Sequence, residues 1–266
     1  MYTTAGFIGI GNMGGALMTA AAKKLGSDFM VCDFDQNKVA NAVEKYGCAS
    51  GTAAQIARDC RYIFLGVKPQ MAEDACRDLI APLAKRTDAP VIVSMMAGVT
   101  METVRKFCGG EYKIIRIMPN IAAAVGESMT LCTRTDNVTD EELTGFFTMM
   151  SASGKVDLIP EKLIDAGMAL SGCGPAFVCL FMEALADGAV ACGVPRKSAM
   201  EYAAQMILGT VTLMQETGKH PAVMKDEVCS PAGTTIAGVR ALEEHGFRSA
   251  AMDAVIAAFE KTKALK

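Results

Sequence analysis

Gly9-Ile10-Gly11-Asn12-Met13-Gly14 constrains the fold more than any other stretch of this chain. It follows an apolar run, Ala5–Ile10, that predicts a strand, and it opens a segment, Met13–Leu25, whose spacing predicts a helix. In that context Gly9 allows a tight turn, Gly11 lets a pyrophosphate approach the backbone, and Gly14 lets helix and strand pack closely. The helix start adds free N–H groups and positive potential for phosphates. The next predicted strand, Phe29–Asp33, ends in Asp33-Phe34-Asp35. A carboxylate there accepts adenosine ribose hydroxyls and repels a 2′-phosphate, and the nearest cation is Lys38. Asp33 and Asp35 therefore favour NADH over NADPH. Asp33 equally fits an N-cap for the helix predicted at Gln36–Tyr46.

Strand patterns at Tyr62–Val67, Val91–Met95 and Lys113–Met118 alternate with helical patterns at Met71–Ala84 and Thr100–Cys108. This alternation predicts a parallel, doubly wound sheet over residues 1–160. Ligands of such sheets bind at the C-terminal strand edge, where Val67-Lys68-Pro69 and Met95-Met96-Ala97-Gly98 fall. Lys68 fits a solvated loop lysine just as well. Over residues 161–266 the strand signal is gone, and helices are predicted at Lys162–Ala169, Pro175–Cys192, Arg196–Thr217, Thr234–Glu244 and Phe247–Leu265. Pro175–Cys192 is apolar around most of its circumference, which suits the centre of a bundle or, the favoured reading, a surface buried between subunits.

Composition removes several classes. With 51% hydrophobic and 21% charged residues the chain is globular, and a net charge of −3 gives no reason to expect nucleic acid. Met1–Ile10 has no basic region followed by an apolar stretch and cleavage site. The ten cysteines include no CxxC, and His220 and His245 stand far from any cysteine pair, so no metal site is expected. Small buried thiols in a reducing cytoplasm are expected instead. No apolar run is expected to reach the length of a membrane span.

Ser230-Pro231-Ala232-Gly233-Thr234-Thr235 precedes an apolar helical pattern. Small residues and hydroxyls at a helix start make a pocket for an anion such as a carboxylate, or a plain Ser/Thr cap. The segment Asp226–Glu243 around it resembles the signature of the pyrroline-5-carboxylate reductases. So do Phe7–Gly14, Gly66-Val67-Lys68-Pro69-Gln70, Leu170–Phe177, His220-Pro221 and Gly246–Ser249, in order along the whole chain.

The resemblance implies an N-terminal Rossmann-type sheet and an all-α C-terminal dimerisation domain that exchanges helices between protomers. It implies a homodimer, assembled in many members into a ring of five dimers. It implies hydride transfer from NAD(P)H, usually NADPH, to the cyclic imine 1-pyrroline-5-carboxylate, giving L-proline as the last step of proline biosynthesis. By position, Ile8–Met13 match the pyrophosphate turn, Val67, Lys68, Pro69 and Ala97 the nicotinamide side, and Glu227 a place near the cofactor. Ser230, Gly233 and Thr234 match the substrate carboxylate site, and Thr235 the hydroxyl facing the ring nitrogen. Thr235 and Lys68 are then the groups acting at the reacting centre.

Three departures stand out: Ala232 where glycine is common, Cys173 for a frequent serine, and the aspartates at 33 and 35. The alanine requires a negative φ at residue 232. Rival readings are a reductase of another cyclic imine or of a β-hydroxyacid, and a non-catalytic nucleotide-binding scaffold. The β-hydroxyacid enzymes use a lysine on a central helix, yet no lysine lies between Lys162 and Lys197. The intact Ser230–Thr235 loop argues against a scaffold.

Overall fold

Alternate residues of the central strands serve opposite faces of one sheet in the computed structural model, which describes residues 3–264. Strand β1 (Thr3–Ile8) leads through α1 (Asn12–Leu25), β2 (Phe29–Cys32), α2 (Gln36–Tyr46), β3 (Ala49–Ser50) and α3 (Ala53–Asp59) to β4 (Cys60–Leu65). A 3-10 turn at Pro69–Met71 opens α4 (Ala72–Ala84), followed by β5 (Val91–Ser94), α5 (Met101–Cys108), β6 (Lys113–Met118), β7 (Ser128–Arg134), α6 (Asp140–Met150) and β8 (Gly154–Leu158). Phe7 of β1 stacks on Phe64 of β4 at 4.4 Å on one face, while Ile8, Ile63 and Leu65 enter the apolar cluster on the other. Burial on both faces explains why these strands read as continuous apolar runs.

The strand order is β3-β2-β1-β4-β5-β6-β7-β8, so the chain reverses direction across the sheet between β1 and β4. Every neighbouring pair is parallel except β6 and β7. This reversal departs from the wholly parallel expectation. Only a 3-10 turn, Ile121–Val125, separates β6 from β7, and a parallel return needs a crossover of roughly a dozen residues or more. Sequence patterning also passes over β3, α3, β7, α6 and β8. Helices α3 and α6 begin with capping boxes, Thr52 with Gln55 and Thr139 with Glu142, a signal the chain does display.

The remaining helices are α7 (Glu161–Ser171), α8 (Gly174–Ala191), α9 (Arg196–Thr217), α10 (Pro221–Glu227), α11 (Thr234–Glu244) and α12 (Phe247–Lys263). The predicted end of the last helix, Leu265, lies outside the described residues. Sequence pattern divides the chain at 160/161, whereas packing divides it after Gly172, with residues 259–264 joining the sheet-containing unit. Helix α7 stays with the sheet because Arg116 of β6, 1% exposed, forms ion pairs with Glu161 at 3.3 Å and Asp165 at 2.9 Å.

The second unit, Cys173–Ala258, is helical. Of the whole of α8 only Ala186 is buried, while Leu180 is 69% exposed. Glu161–Ala191, which contains an 18-residue window of mean hydropathy 1.6, is long and apolar enough to cross a membrane by length and composition. That corrects the expectation that no run reaches this length: no charged residue stands between Asp165 and Glu183.

One backbone feature contradicts the sequence reading. Ala232 has φ +58°, the only non-glycine of positive φ among the described residues. The Gly233 N–H donates to the Ser230 carbonyl at 3.0 Å, closing a turn with Pro231 in its second position. Proline second and a positive φ third define a type II turn, which favours glycine where this chain has alanine. Turn closure overrides the residue's preference, at a strain of about 1–2 kcal/mol. Ala232→Gly should therefore raise stability by about 1 kcal/mol, read as a higher urea midpoint at unchanged slope. A lower midpoint would show the alanine to be relaxed.

Candidate functional site

The first candidate site forms where three strand ends meet. The Gly9 N–H donates to the Cys32 carbonyl and the Gly66 N–H to the Ile8 carbonyl, each at 2.8 Å. The backbones of β1, β2 and β4 are thus laced together at the switch point of the sheet. Gly9 has φ +85°, and a Cβ on Gly14 would stand 2.1 Å from the Gly9 carbonyl oxygen. No side chain but hydrogen fits at 14. Around Gly11, by contrast, a Cβ would meet nothing within 4 Å. Helix α1 starts at Asn12 with no side-chain cap, so its first N–H groups face that open space. These features fit a dinucleotide pyrophosphate, with Met13 in the first turn of the helix.

Asp33 lies beneath this turn. Its Oδ2 accepts the Ile10 N–H at 2.7 Å, and its Oδ1 accepts the Asp35 N–H at 2.9 Å. Asp35, rather than Asp33, caps α2 by accepting the Asn37 N–H at 3.0 Å. Each Asp33 oxygen keeps a further lone pair for a hydroxyl. A cleft of about 730 Å³ opens alongside, lined by Ile8, Gly9, Asp33 and Val67 together with Phe34 and, from α4, Asp74, Arg77 and Asp78. The α4 carboxylates escaped sequence reasoning, although their one-turn spacing on a predicted helix was visible. Lys68 is exposed and precedes the 3-10 turn that begins at Pro69, the Met71 N–H donating to its carbonyl at 2.9 Å. Ala97, just beyond β5, is exposed.

The second candidate site lies in the helical unit. Behind the Ser230–Gly233 turn, α11 begins at Thr234 with Gly233 at its N-cap and no side-chain cap. The hydroxyls of Thr234 and Thr235 therefore do not cap their own helix. The plain-cap reading fails, and the first N–H groups of α11 have no side-chain acceptor. Ser230, Thr234 and Thr235 are exposed in the single chain. Glu227, at the end of α10, accepts from Lys219 Nζ at 2.6 Å. Among the described residues no cluster of three or more His, Cys, Asp or Glu side chains is arranged to hold a metal ion.

Comparison with known proteins identifies the family. The family model described as "Pyrroline-5-carboxylate reductase dimerisation" matches residues 161–265, and "NADP oxidoreductase coenzyme F420-dependent" matches residues 4–98. The pyrroline-5-carboxylate reductase of Escherichia coli (strain K12) is 38% identical, covering 98% of this chain and 97% of its own. That of Methanosarcina acetivorans is 40% identical with the same coverage. The solved pyrroline-5-carboxylate reductase of Coxiella burnetii superposes with a TM-score of 0.92 at 28% identity, over 100% of this chain and 99% of that one. A match running through both units and nearly the full length of each relative leaves one assignment: the chain belongs to the pyrroline-5-carboxylate reductase family of NAD(P)H-dependent oxidoreductases.

Proposed function

We propose that this chain reduces 1-pyrroline-5-carboxylate to L-proline with NADH, and that its residues act by positioning. The observation that carries the reading is the uncapped start of α11 behind a closed Ser230–Gly233 turn, a ready acceptor for a small carboxylate. Bound nicotinamide supplies the hydride. Ser230, Gly233 and Thr234 hold the substrate carboxylate, the Thr235 hydroxyl hydrogen-bonds the ring nitrogen, and Lys68 adds positive potential. Ile8 to Gly14 cradle the pyrophosphate, Asp33 sits at the adenosine ribose, and Val67, Pro69 and Ala97 border the nicotinamide. Glu227 stands near the cofactor. Orientation of two reactants is a sufficient role for such a site, because a protonated imine is already electrophilic.

The working unit is a homodimer, built further into a pentamer of dimers, and its place is the cytoplasm. Support for the dimer is the apolar surface of α8 that one chain leaves in water. Covering it gains about 25 cal/mol per Å² of apolar area removed from water. All ten cysteines are free thiols, which suits a reducing compartment.

Steady-state rates with five- and six-membered imines and both nucleotides test the reaction. The five-membered ring with NADH should give the highest kcat/KM; a tenfold or larger preference for NADPH, on the order of 1.4 kcal/mol, would remove the cofactor reading. Thr235→Val keeps the side chain's shape and deletes its hydroxyl. Its kcat/KM should fall about ten- to a hundredfold with cofactor affinity unmoved. An unchanged kcat/KM would give that hydroxyl another task. Leu180→Glu should shift the sedimenting species toward monomer and lower activity with it, and a fully active monomer would contradict the dimer.

A further inference from the structure

The cleft beside the glycine turn has two acidic walls of different character. One is the end of β2. There Asp33 is held by two backbone N–H groups, and Asp35 caps α2 with Lys38 Nζ 3.9 Å from its carboxylate. The other is α4, where Asp74 and Asp78, one turn apart, both line the cleft. Asp74 is paired with Arg77 at 2.9 Å. Asp78 is exposed and has neither ion pair nor hydrogen bond among the described residues. Its field reaches across to β2: the Cys32 thiol is pushed up by burial first, then by Asp33 and Asp78, against a hydrogen bond from the Ala53 backbone that lowers it. Of the two α4 carboxylates facing this space, Asp78 is the one without an ion pair among the described residues.

We propose that Asp78 adds to the nucleotide selectivity set at Asp33, its carboxylate repelling the 2′-phosphate of NADPH from the adenosine end of the cleft. The proposal rests on the reading that this cleft takes the adenosine half of the dinucleotide. Asp33 is the poorer position for a test, because changing it also removes the partner of the Ile10 N–H and loosens the turn that both nucleotides need. Asp78 holds nothing in place. Two like charges across a hydrated cleft give a modest effect that added salt weakens.

The test is direct binding to the full-length chain, by fluorescence titration with NADH and NADPH and by competition with ADP and 2′,5′-ADP. In Asp78→Asn the NADPH and 2′,5′-ADP affinities should rise about three- to tenfold while NADH and ADP stay where they were. In the unaltered chain, added salt should narrow the gap between the two nucleotides. Glu73→Gln removes a charge from the same helix outside the cleft lining, and should leave the ratio alone. Gly14→Ala separates the two claims: it should abolish binding of all four ligands. If it does, and Asp78→Asn leaves the NADPH-to-NADH ratio unchanged, the proposal is overturned and the site stands. If Gly14→Ala binds all four normally, the site reading fails and the proposal with it.

Discussion

The close approach of β1, α1 and β4 at the glycine turn is the constraint on which the candidate cofactor site depends. A side chain at residue 14 would collide with the Gly9 carbonyl, and one at residue 66 would stand 2.3 Å from the same oxygen. Three backbone segments therefore meet with nothing between them. The donors at the start of α1 reach open space because no side chain intervenes. Asp33 completes the arrangement from below: its bond to the Ile10 N–H ties the end of β2 to the turn. A charged acceptor on a backbone donor is worth more than a neutral one, so this link fixes the turn as well as colouring its potential.

The helical unit obeys a different constraint. Its most apolar helix has one buried residue, and its anion-accepting loop is exposed. A chain that left this surface in water would carry an apolar patch larger than monomers usually tolerate. The stretch that contains it, Glu161–Ala191, is also long and apolar enough to cross a membrane. Its position within a stretch matching a dimerisation family favours protein over lipid as the covering partner. Strain at Ala232 belongs to this unit too. The turn that shapes the loop demands a backbone conformation that its own residue disfavours, and the uncapped start of α11 lies directly behind it.

Much of this was legible in the sequence, for identifiable reasons. Helices such as Gln36–Tyr46, Arg196–Thr217 and Thr234–Glu244 carry clear boundaries, and the glycine turn announced both its strand and its helix. The antiparallel β7 was not legible, because direction depends on the length of a connection whose 3-10 turn has no sharp pattern. Alanine in isolation predicts a negative φ at residue 232, whereas Pro231 beside it favours the type II turn that makes it positive. Local pattern offers Asp33 as a ribose partner or an N-cap, while its bond to the Ile10 N–H depends on tertiary approach that no local pattern reveals. Asp78 escaped for the same reason: periodicity shows that Asp74 and Asp78 share a face, but only the fold shows what that face meets.

The central claim is that the chain delivers hydride to the imine carbon of a five-membered ring. It is tested most directly by supplying NADH carrying deuterium at both C4 positions together with 1-pyrroline-5-carboxylate and analysing the product by mass spectrometry. The account predicts proline carrying one deuterium at C5, formed in step with nucleotide oxidation. Nucleotide oxidised without labelled proline, or no turnover with either NADH or NADPH, would contradict it.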